Sequence, residues 1–303
     1  MDESAYRNAE LNYWQHYHAT PAEHWLDLPV LGTKVRILEF GSGMPLLFVH
    51  GGPSAGSTFA PLAAQLGSYR CIVIDRPGCG LSPPISYKGM PHNQRMPLIL
   101  KACISALELP SVNLVGSSFG GACSLWLAQQ FPQLVEKIVL MGCPPFVSFA
   151  KMPLFLRLLA TPAIGALLCR LPASRSGSMA YLDAMGEQQA KEAELIPEDF
   201  YAWHLSLCRD TNTMINDRKL VQYGLTFAGM RQELIISDKQ LQQIQTPIQV
   251  YWGKGDPLGD ANIAKDLFGS LPNGSIEINN DAGHLPWLAD PIRAATAIKT
   301  FVN

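Results

Sequence analysis

The chain has 303 residues, of which 48% are hydrophobic and 16% charged, and its formal net charge is −2. This composition excludes a disordered chain, and the absence of a basic block gives no reason to expect nucleic acid or an acidic membrane surface as a partner. Because the length exceeds that of one average domain, we expect a large single unit or a core that carries an insertion.

The N-terminal residues 1–4 read Met-Asp-Glu-Ser and lead into polar residues rather than an apolar signal run. We therefore predict a cytoplasmic protein. Seven cysteines are scattered without any Cys-x-x-Cys pair, which favours reduced, mostly buried thiols over a disulfide framework or a zinc site. His16, His18 and His24 lack a thiol or carboxylate at ligand spacing, so we interpret them as surface histidines and predict no metal site.

The first elements in chain order are a lead-in helix and a β-hairpin over residues 26–40. Residues 45–49 (Pro-Leu-Leu-Phe-Val) form a continuous apolar run, which is typical of a strand buried on both faces. The turn His-Gly-Gly-Pro at residues 50–53 follows directly. Because glycine lets the backbone approach closely, such a turn can present N–H groups to a developing anion. We expect His50 to hold this turn by hydrogen bonding.

A second buried strand is predicted over residues 70–75, and it ends in the glycine-rich turn at residues 75–82. This turn has neither the Gly-Lys-Ser/Thr of a phosphate-binding loop nor the spacing of a dinucleotide fingerprint. We therefore interpret it as structural.

The sequence Gly116-Ser117-Ser118-Phe119-Gly120 lies between a strand-like run that begins at Val112 and a helix-competent stretch over residues 122–131. This is the Gly-x-Ser-x-Gly pattern in its strand, sharp turn and helix context, which exposes the central serine hydroxyl above the sheet. The pattern cannot be centred on Ser117, because Val115 and Phe119 stand where glycines would be needed. Ser118 is therefore the candidate nucleophile, and a flexible glycine-serine linker is the alternative that this context disfavours.

A further apolar strand at residues 135–141 completes an alternation of strands and helices, which predicts a mostly parallel sheet covered on both faces. From residue 146 to residue 233 only helical patterns occur. We therefore predict an α/β core formed by residues 1–145 and 234–303, with residues 146–233 as an inserted helical cap.

One segment of the predicted cap, residues 152–172, is nearly all apolar and about as long as the ~20 residues that span a bilayer. Arg157, Pro162 and Arg170 interrupt it, and two arginines at membrane depth are costly. We predict two short helices there and no stable membrane span.

Alternation resumes with a strand at residues 246–252, followed by Asp256, and a strand at residues 275–278, followed by His284. In parallel sheets, ligands bind beyond the carboxyl ends of the strands. A serine nucleophile needs a base, and the base needs a carboxylate to orient it and to stabilise its charge. Asp256 and His284 lie where these groups are required, and Asp260 on the same loop as Asp256 is the alternative acid.

From residue 26 to the C-terminus the chain resembles the α/β-hydrolase fold family, although the cap matches only in its position. The resemblance implies that Ser118 is the nucleophile, that Asp256 in Trp-Gly-x-x-Asp-Pro is the acid and that His284 in Ala-Gly-His is the base. It also implies that the backbone N–H groups of Gly52 and Phe119 form the oxyanion hole.

The resemblance implies a serine hydrolase of the carboxylesterase or lipase type, which forms an acyl-enzyme on Ser118 and needs no cofactor. Alternative activities are hydrolysis of a carbon–carbon bond, as in meta-cleavage product hydrolases, and a proline iminopeptidase-like activity. The peptidase activity is disfavoured because proline iminopeptidases typically carry glycine after His-Gly-Gly-Pro and an Asp-Gln-Arg-Gly motif later. Here Ser54 follows the His-Gly-Gly-Pro turn and Pro77 follows Asp75-Arg76. A small-molecule binding protein on the same fold is the non-enzymatic alternative.

The apolar cap predicts a small to medium apolar ester or acyl compound as substrate, and the oligomeric state stays open. A helical pair that merely buries its own face explains the same pattern equally well. We expect the substrate to contact His50, Phe146, Phe149, Leu154 and His204. For His204, the competing interpretation is a histidine that packs on its helix or faces solvent.

Overall fold

Eight strands form one sheet in the computed structural model, which describes residues 1–303. In chain order these are β1 (Ala22–Leu28), β2 (Thr33–Phe40), β3 (Pro45–Val49), β4 (Arg70–Ile74), β5 (Val112–Ser117), β6 (Val135–Met141), β7 (Ile248–Gly253) and β8 (Gly274–Asn279). Across the sheet the order is β1-β2-β4-β3-β5-β6-β7-β8. The pairs β1–β2 and β2–β4 are antiparallel, and every other pair is parallel.

Fourteen helices cover the two faces of this sheet or belong to an insertion between β6 and β7. They are α1 (Glu3–His16), α2 (Ala60–Ala64), α3 (His92–Ala106), α4 (Phe119–Gln130), α5 (Leu154–Ala160), α6 (Pro162–Leu168), α7 (Arg175–Ala184), α8 (Gln188–Glu192), α9 (Glu198–Asp210), α10 (Thr213–Gly224), α11 (Asp238–Leu241), α12 (Ala261–Gly269), α13 (Pro286–Ala289) and α14 (Pro291–Val302). Helices α3, α4 and α12 contribute to the hydrophobic cluster on one face, and α1, α2 and α14 to the cluster on the other. The predicted fold class, a mostly parallel and doubly covered sheet, is confirmed.

The central strands are apolar without alternation because both of their faces are buried. Every residue of β5 and of β7 is buried, and so are the last four residues of β3. The edge strand β1 instead alternates between exposed and more buried positions, as expected for an antiparallel edge strand with one wet face.

Residues 146–233, which we call the cap, contain helices α5 to α10 and lie between β6 and β7. The two ends of the cap are joined, because Ile236 N–H donates to the carbonyl of Phe146 at 2.6 Å and Val147 forms a parallel bridge to Ile236. The apolar segment at residues 152–172 forms the two short helices α5 and α6, as predicted. None of the helices is long and apolar enough to cross a membrane.

Helix α1 does more than lead into the sheet. Its buried residues include Tyr6, Tyr13 and Trp14. The ring of Tyr13 stacks on that of Trp203 from α9, with the ring centroids 5.4 Å apart. The N-terminal helix therefore fastens the cap to the core.

A buried arginine organises the turn after β4. Arg36 on β2 is 2% exposed, and its guanidinium binds Glu10, Glu23 and Asp75, with the pair to Asp75 at 3.0 Å. Asp75 in turn accepts hydrogen bonds from the N–H groups of Gly56 and Leu81. The glycine-rich turn at residues 75–82 thus wraps a carboxylate of the protein itself, which agrees with a structural role.

We expect Arg36→Ala to lower the free energy of unfolding by about 3–5 kcal/mol, because it leaves buried carboxylates without their cation. Arg293→Ala is the matched control. Its pair with Glu277 is at the surface, so a change within about 1 kcal/mol is expected. Urea denaturation of both variants is the measurement, and equal losses of stability would contradict a structural role for the buried cluster.

Candidate active site

Ser118 lies between the last residue of β5 and the first residue of α4, in a conformation that side chains rarely adopt (φ 50°, ψ −121°). Two glycines make this turn sterically feasible. A Cβ on Gly116 would lie 2.7 Å from the Ser124 hydroxyl oxygen, and one on Gly120 would lie 1.8 Å from the Val49 carbonyl oxygen. Packing against the end of β3 therefore holds the strained serine in place.

The predicted acid and base are hydrogen bonded to each other. His284 Nδ1 and Asp256 Oδ2 are 2.8 Å apart, and both side chains are buried. The remaining capacity of the Asp256 carboxylate is taken by the N–H groups of Cys143, at 2.7 Å, and Leu258, at 2.8 Å. An ionised carboxylate accepts all of these bonds, so the histidine carries its proton on Nδ1 and leaves Nε2 as an acceptor.

Burial opposes a charge on His284, but the charge and hydrogen bond of Asp256 and the charge of Glu187 outweigh it and raise the pKa of the imidazole above its ordinary value. Ser118 and His284 line the same cavity, and no hydrogen bond joins their side chains in this structure. Such bonds are often long in unliganded hydrolases and tighten when substrate binds.

The side chain of Asp260, the alternative acid, interacts with other groups. It caps α12 through the N–H groups of Asn262 and Ile263 and forms a surface ion pair with Lys151. It is half exposed and makes no contact with His284. Asp256 is therefore the carboxylate that the fold brings to the histidine.

The His-Gly-Gly-Pro turn points its carbonyl groups away from the cavity. Arg76 donates from Nε to the His50 carbonyl at 2.9 Å and from Nη2 to the Gly51 carbonyl at 2.8 Å. In a planar trans peptide the N–H points opposite to the C=O, so the Gly52 N–H faces away from Arg76. Gly52 and Phe119 both line the cavity with Ser118, and neither N–H has an acceptor within the protein. For Phe119 this follows from its place at the first position of α4.

His50 holds this turn and does not line the cavity, and its contact with substrate stays a prediction. Its side chain is fully buried. Nδ1 donates to the Gly51 carbonyl at 2.6 Å, and Nε2 accepts from the Arg76 backbone N–H at 3.0 Å. Burial and the nearby Arg76 charge hold the pKa of His50 well below its ordinary value, so the ring stays neutral in the tautomer that these bonds require.

Sequence reasoning missed Asp217, a cap residue that reaches the same turn. From α10 its Oδ1 accepts from Arg76 Nη2 at 2.9 Å, and both side chains are buried. Its carboxylate lies so close to Gly52 that a Cβ there would be 2.2 Å from Oδ2. The signal in the sequence was a carboxylate within the buried stripe of α10, which is formed by Thr213, Asp217, Leu220 and Gly224.

Of the predicted cap contacts, only Phe146 lines the cavity. Phe149 packs against the hydrophobic core, and Leu154 is 63% exposed because its side of α5 faces solvent. His204 is buried inside the cap, where it stacks on Tyr181 at 4.6 Å, and burial lowers its pKa to about 4. It lines a different cavity. Phe149, Leu154 and His204 thus lie outside the lining of this cavity, and their contacts with substrate stay predictions.

The cavity is lined mainly by apolar side chains, from Pro145, Phe146, Phe155, Leu156, Met185, Leu220, Val221, Leu225 and Leu258. Its ionisable lining residues are Asp217 and His284. No group of three or more His, Cys, Asp or Glu side chains is arranged to hold a metal ion. An elbow serine and a histidine–aspartate pair at the carboxyl ends of a parallel sheet define a hydrolase of the α/β-hydrolase architecture.

Comparisons with known proteins agree with this class. A family model described as "alpha/beta hydrolase fold" matches residues 44–162. A cis-3-alkyl-4-alkyloxetan-2-one decarboxylase of Shewanella oneidensis is 24% identical over 283 residues, which cover 90% of this chain and 86% of the relative. A 2-hydroxy-6-oxononadienedioate/2-hydroxy-6-oxononatrienedioate hydrolase of Cupriavidus pinatubonensis is 26% identical over 264 residues, which cover 83% of this chain and 84% of the relative.

Among solved structures, the naproxen esterase (carboxylesterase NP) of Bacillus subtilis superposes with a TM-score of 0.73 at 16% sequence identity, covering 100% of this chain and 99% of the esterase. The chain therefore has the α/β-hydrolase fold.

The contact between Gly52 and Asp217 gives a test of the site. We expect Gly52→Ala to reduce kcat/KM by about 10²-fold or more, because the added methyl group displaces the turn and its N–H from Ser118, the candidate nucleophile. Gly269→Ala is the control, since a Cβ there meets nothing within 4 Å. Ester hydrolysis by both variants is the measurement. Wild-type activity in Gly52→Ala would show that this contact is not tight.

Proposed function

We propose that this protein hydrolyses carboxylic esters of small to medium apolar compounds, with Ser118 as nucleophile, His284 as base and Asp256 as the acid that orients the base. The observation that carries the proposal is the Asp256–His284 pair, which faces the same cavity as a serine held in a strained elbow. In this proposal the cap covers the cavity and supplies much of its apolar wall.

The reaction proceeds in two steps. His284 Nε2 accepts the hydroxyl proton of Ser118 while the serine oxygen bonds to the ester carbonyl carbon, and the N–H groups of Gly52 and Phe119 donate to the resulting oxyanion. The tetrahedral adduct collapses, the protonated imidazole gives its proton to the departing alkoxide, and the acyl group stays on Ser118. Water, deprotonated by the same imidazole, then attacks the acyl carbon and releases the acid and the free serine.

The lining of the cavity favours a neutral substrate. A dioate, as in the name of the Cupriavidus relative, carries two carboxylates, and this cavity offers them the carboxylate of Asp217 and no unpaired cation. Like charges in a desolvated site disfavour such a ligand. The ammonium group of a peptide substrate gains little either, because Arg76 already pairs with Asp217. Carbon–carbon bond hydrolysis and peptide hydrolysis therefore stand as outcomes of the assay.

The sharpest test compares neighbouring serines. We expect Ser118→Ala to lower kcat on short p-nitrophenyl esters by about 10⁶-fold and to abolish labelling by a fluorophosphonate. Ser117→Ala is the control, because its hydroxyl is buried at the end of β5 without a hydrogen-bond partner. Mass spectrometry of the labelled peptide checks the position.

Turnover restricted to dienone substrates would replace the ester proposal with carbon–carbon hydrolysis, and turnover restricted to peptides would replace it with peptide hydrolysis. Tight ligand binding without turnover, unchanged in Ser118→Ala, would point to a binding protein.

Substituting each of the two aspartates on the loop after β7 tests which of them acts as the acid. We expect Asp256→Asn to lower kcat by about 10⁴-fold, because the amide no longer stabilises the charged imidazole or its tautomer. Asp260→Asn should retain near wild-type kcat, since Asp260 only caps α12 and pairs with Lys151. The reverse pattern in steady-state kinetics would overturn the assignment of Asp256.

The raised pKa of His284 predicts the direction in which the pH dependence of kcat/KM is shifted. The base acts only when neutral, so kcat/KM falls as the pH drops through the imidazole pKa. Because that pKa is raised, we expect the acid limb of the profile above about pH 6.5, the ordinary value for histidine. Initial rates at low substrate concentration across pH 5 to about 9 measure it, and a midpoint well below 6.5 would refute the expectation.

A further inference from the structure

A cap carboxylate binds the backbone on both sides of the candidate base. Glu187, in the connection between α7 and α8, accepts from the Leu285 N–H through Oε1 at 2.6 Å and from the Gly283 N–H through Oε2 at 3.2 Å. The N–H of His284 itself donates to the Met185 carbonyl at 2.8 Å. All three consecutive amides around the base are therefore held by residues 185–187 of the cap.

Residues 185–187 also lie against the loop that carries the acid. A Cβ on Gly186 would be 2.2 Å from the Gly255 carbonyl oxygen, and one on Gly283 would be 2.4 Å from the Met185 carbonyl oxygen. Backbone packs directly on backbone at both places. The cap segment is thus wedged between the loops of Asp256 and His284, and a shift of this segment moves both.

Glu187 is buried without a lysine or arginine partner. Its residue is 1% exposed, and its carboxylate has no salt bridge in the molecule, so the two amides are its hydrogen-bond donors. A buried carboxylate left without a cation is costly and is more often found where a function requires it. Burial raises its pKa to about 7, against the opposing effects of the Leu285 and Gly283 amides and of His284.

We propose that Glu187 is a positioning residue for His284: from the cap it fixes the loop that carries the imidazole, and its negative charge favours the imidazolium that forms as Ser118 attacks. This inference rests on the proposed function, since it assigns His284 the role of base. Glu187 does not line the cavity of Ser118, and in this proposal it acts only through the histidine.

Several other charged or titratable groups lie near Glu187 and His284. Asp256 is hydrogen bonded to His284 Nδ1 and raises the pKa of the imidazole, as Glu187 does. Tyr181 on α7 and Cys143 after β6 are buried neighbours whose own pKa values are raised well into the alkaline range. Asp256 and Glu187 are therefore the two charged groups whose effects on the imidazole the test must separate.

Glu187→Gln removes the charge and keeps the shape. A glutamine amide accepts through one oxygen only, so it keeps one of the two backbone hydrogen bonds and opposes the other with an N–H group. We expect kcat to fall by about tenfold through misplacement of the imidazole. The midpoint of the acid limb should move to lower pH, because a charge that raised the histidine pKa is gone.

The experiment measures kcat/KM against pH and, independently of activity, the titration of the His284 imidazole by NMR. Wild type, Glu187→Gln and the control Glu192→Gln are compared, since Glu192 is an exposed cap residue at the end of α8. Glu192→Gln should superimpose on wild type in both measurements. If Glu187→Gln also superimposes on wild type, the proposal is overturned.

Two further outcomes are distinguishable. A wild-type protein without ester turnover refutes the proposed function, and the imidazole titration in Glu187→Gln still decides whether Glu187 acts on His284. If Glu187→Gln does not fold, Glu187→Asp decides instead, because it keeps the charge and loses the reach. In Glu187→Asp, an imidazole pKa that stays as high as in wild type, together with a reduced kcat, supports the proposal. An unchanged kcat in this variant overturns it.

Discussion

The carboxylate of Asp256 accepts hydrogen bonds from three places at once: the backbone after β6 through Cys143, its own loop through Leu258, and the loop after β8 through His284. Parallel strands make this convergence feasible, because their carboxyl ends all open onto one edge of the sheet. The candidate chemistry depends on this anion. It fixes the histidine tautomer, and the same bonds hold neighbouring loops in register around it.

The turn that carries Gly52, the candidate oxyanion-hole residue, depends on a different kind of constraint. Arg76 binds the carbonyl groups of His50 and Gly51 on the side away from the cavity, which leaves the Gly52 N–H facing the cavity. Asp217 supplies the counter-charge for that arginine from the cap. The buried ion pair therefore links a loop of the core to a helix of the insertion, so cap and core share one functional surface.

Local patterns in the sequence predicted the sheet, the elbow and the histidine–aspartate pair, because each depends on short-range rules. Glycine flanking Ser118 reports a steric requirement within one turn, and Asp256 and His284 each follow an identifiable strand. The cap could not be predicted in the same way. Helical periodicity shows that a face is buried but not against what, so Asp217 and Glu187 escaped notice, while Leu154 and His204, predicted to contact substrate, lie outside the lining of the cavity. Only the folded contacts distinguish these cases.

Helix α5 presents Phe155 and Leu156 to the cavity, while Leu154 on the same helix is mostly exposed to water. The wall between Ser118 and bulk solvent is therefore one helix thick at this point. Elsewhere the cap is anchored by the Glu187 and Asp217 contacts and by stacking on α1. None of these anchoring contacts involves α5, so the thin part of the cavity wall and the anchored parts of the cap are spatially separate.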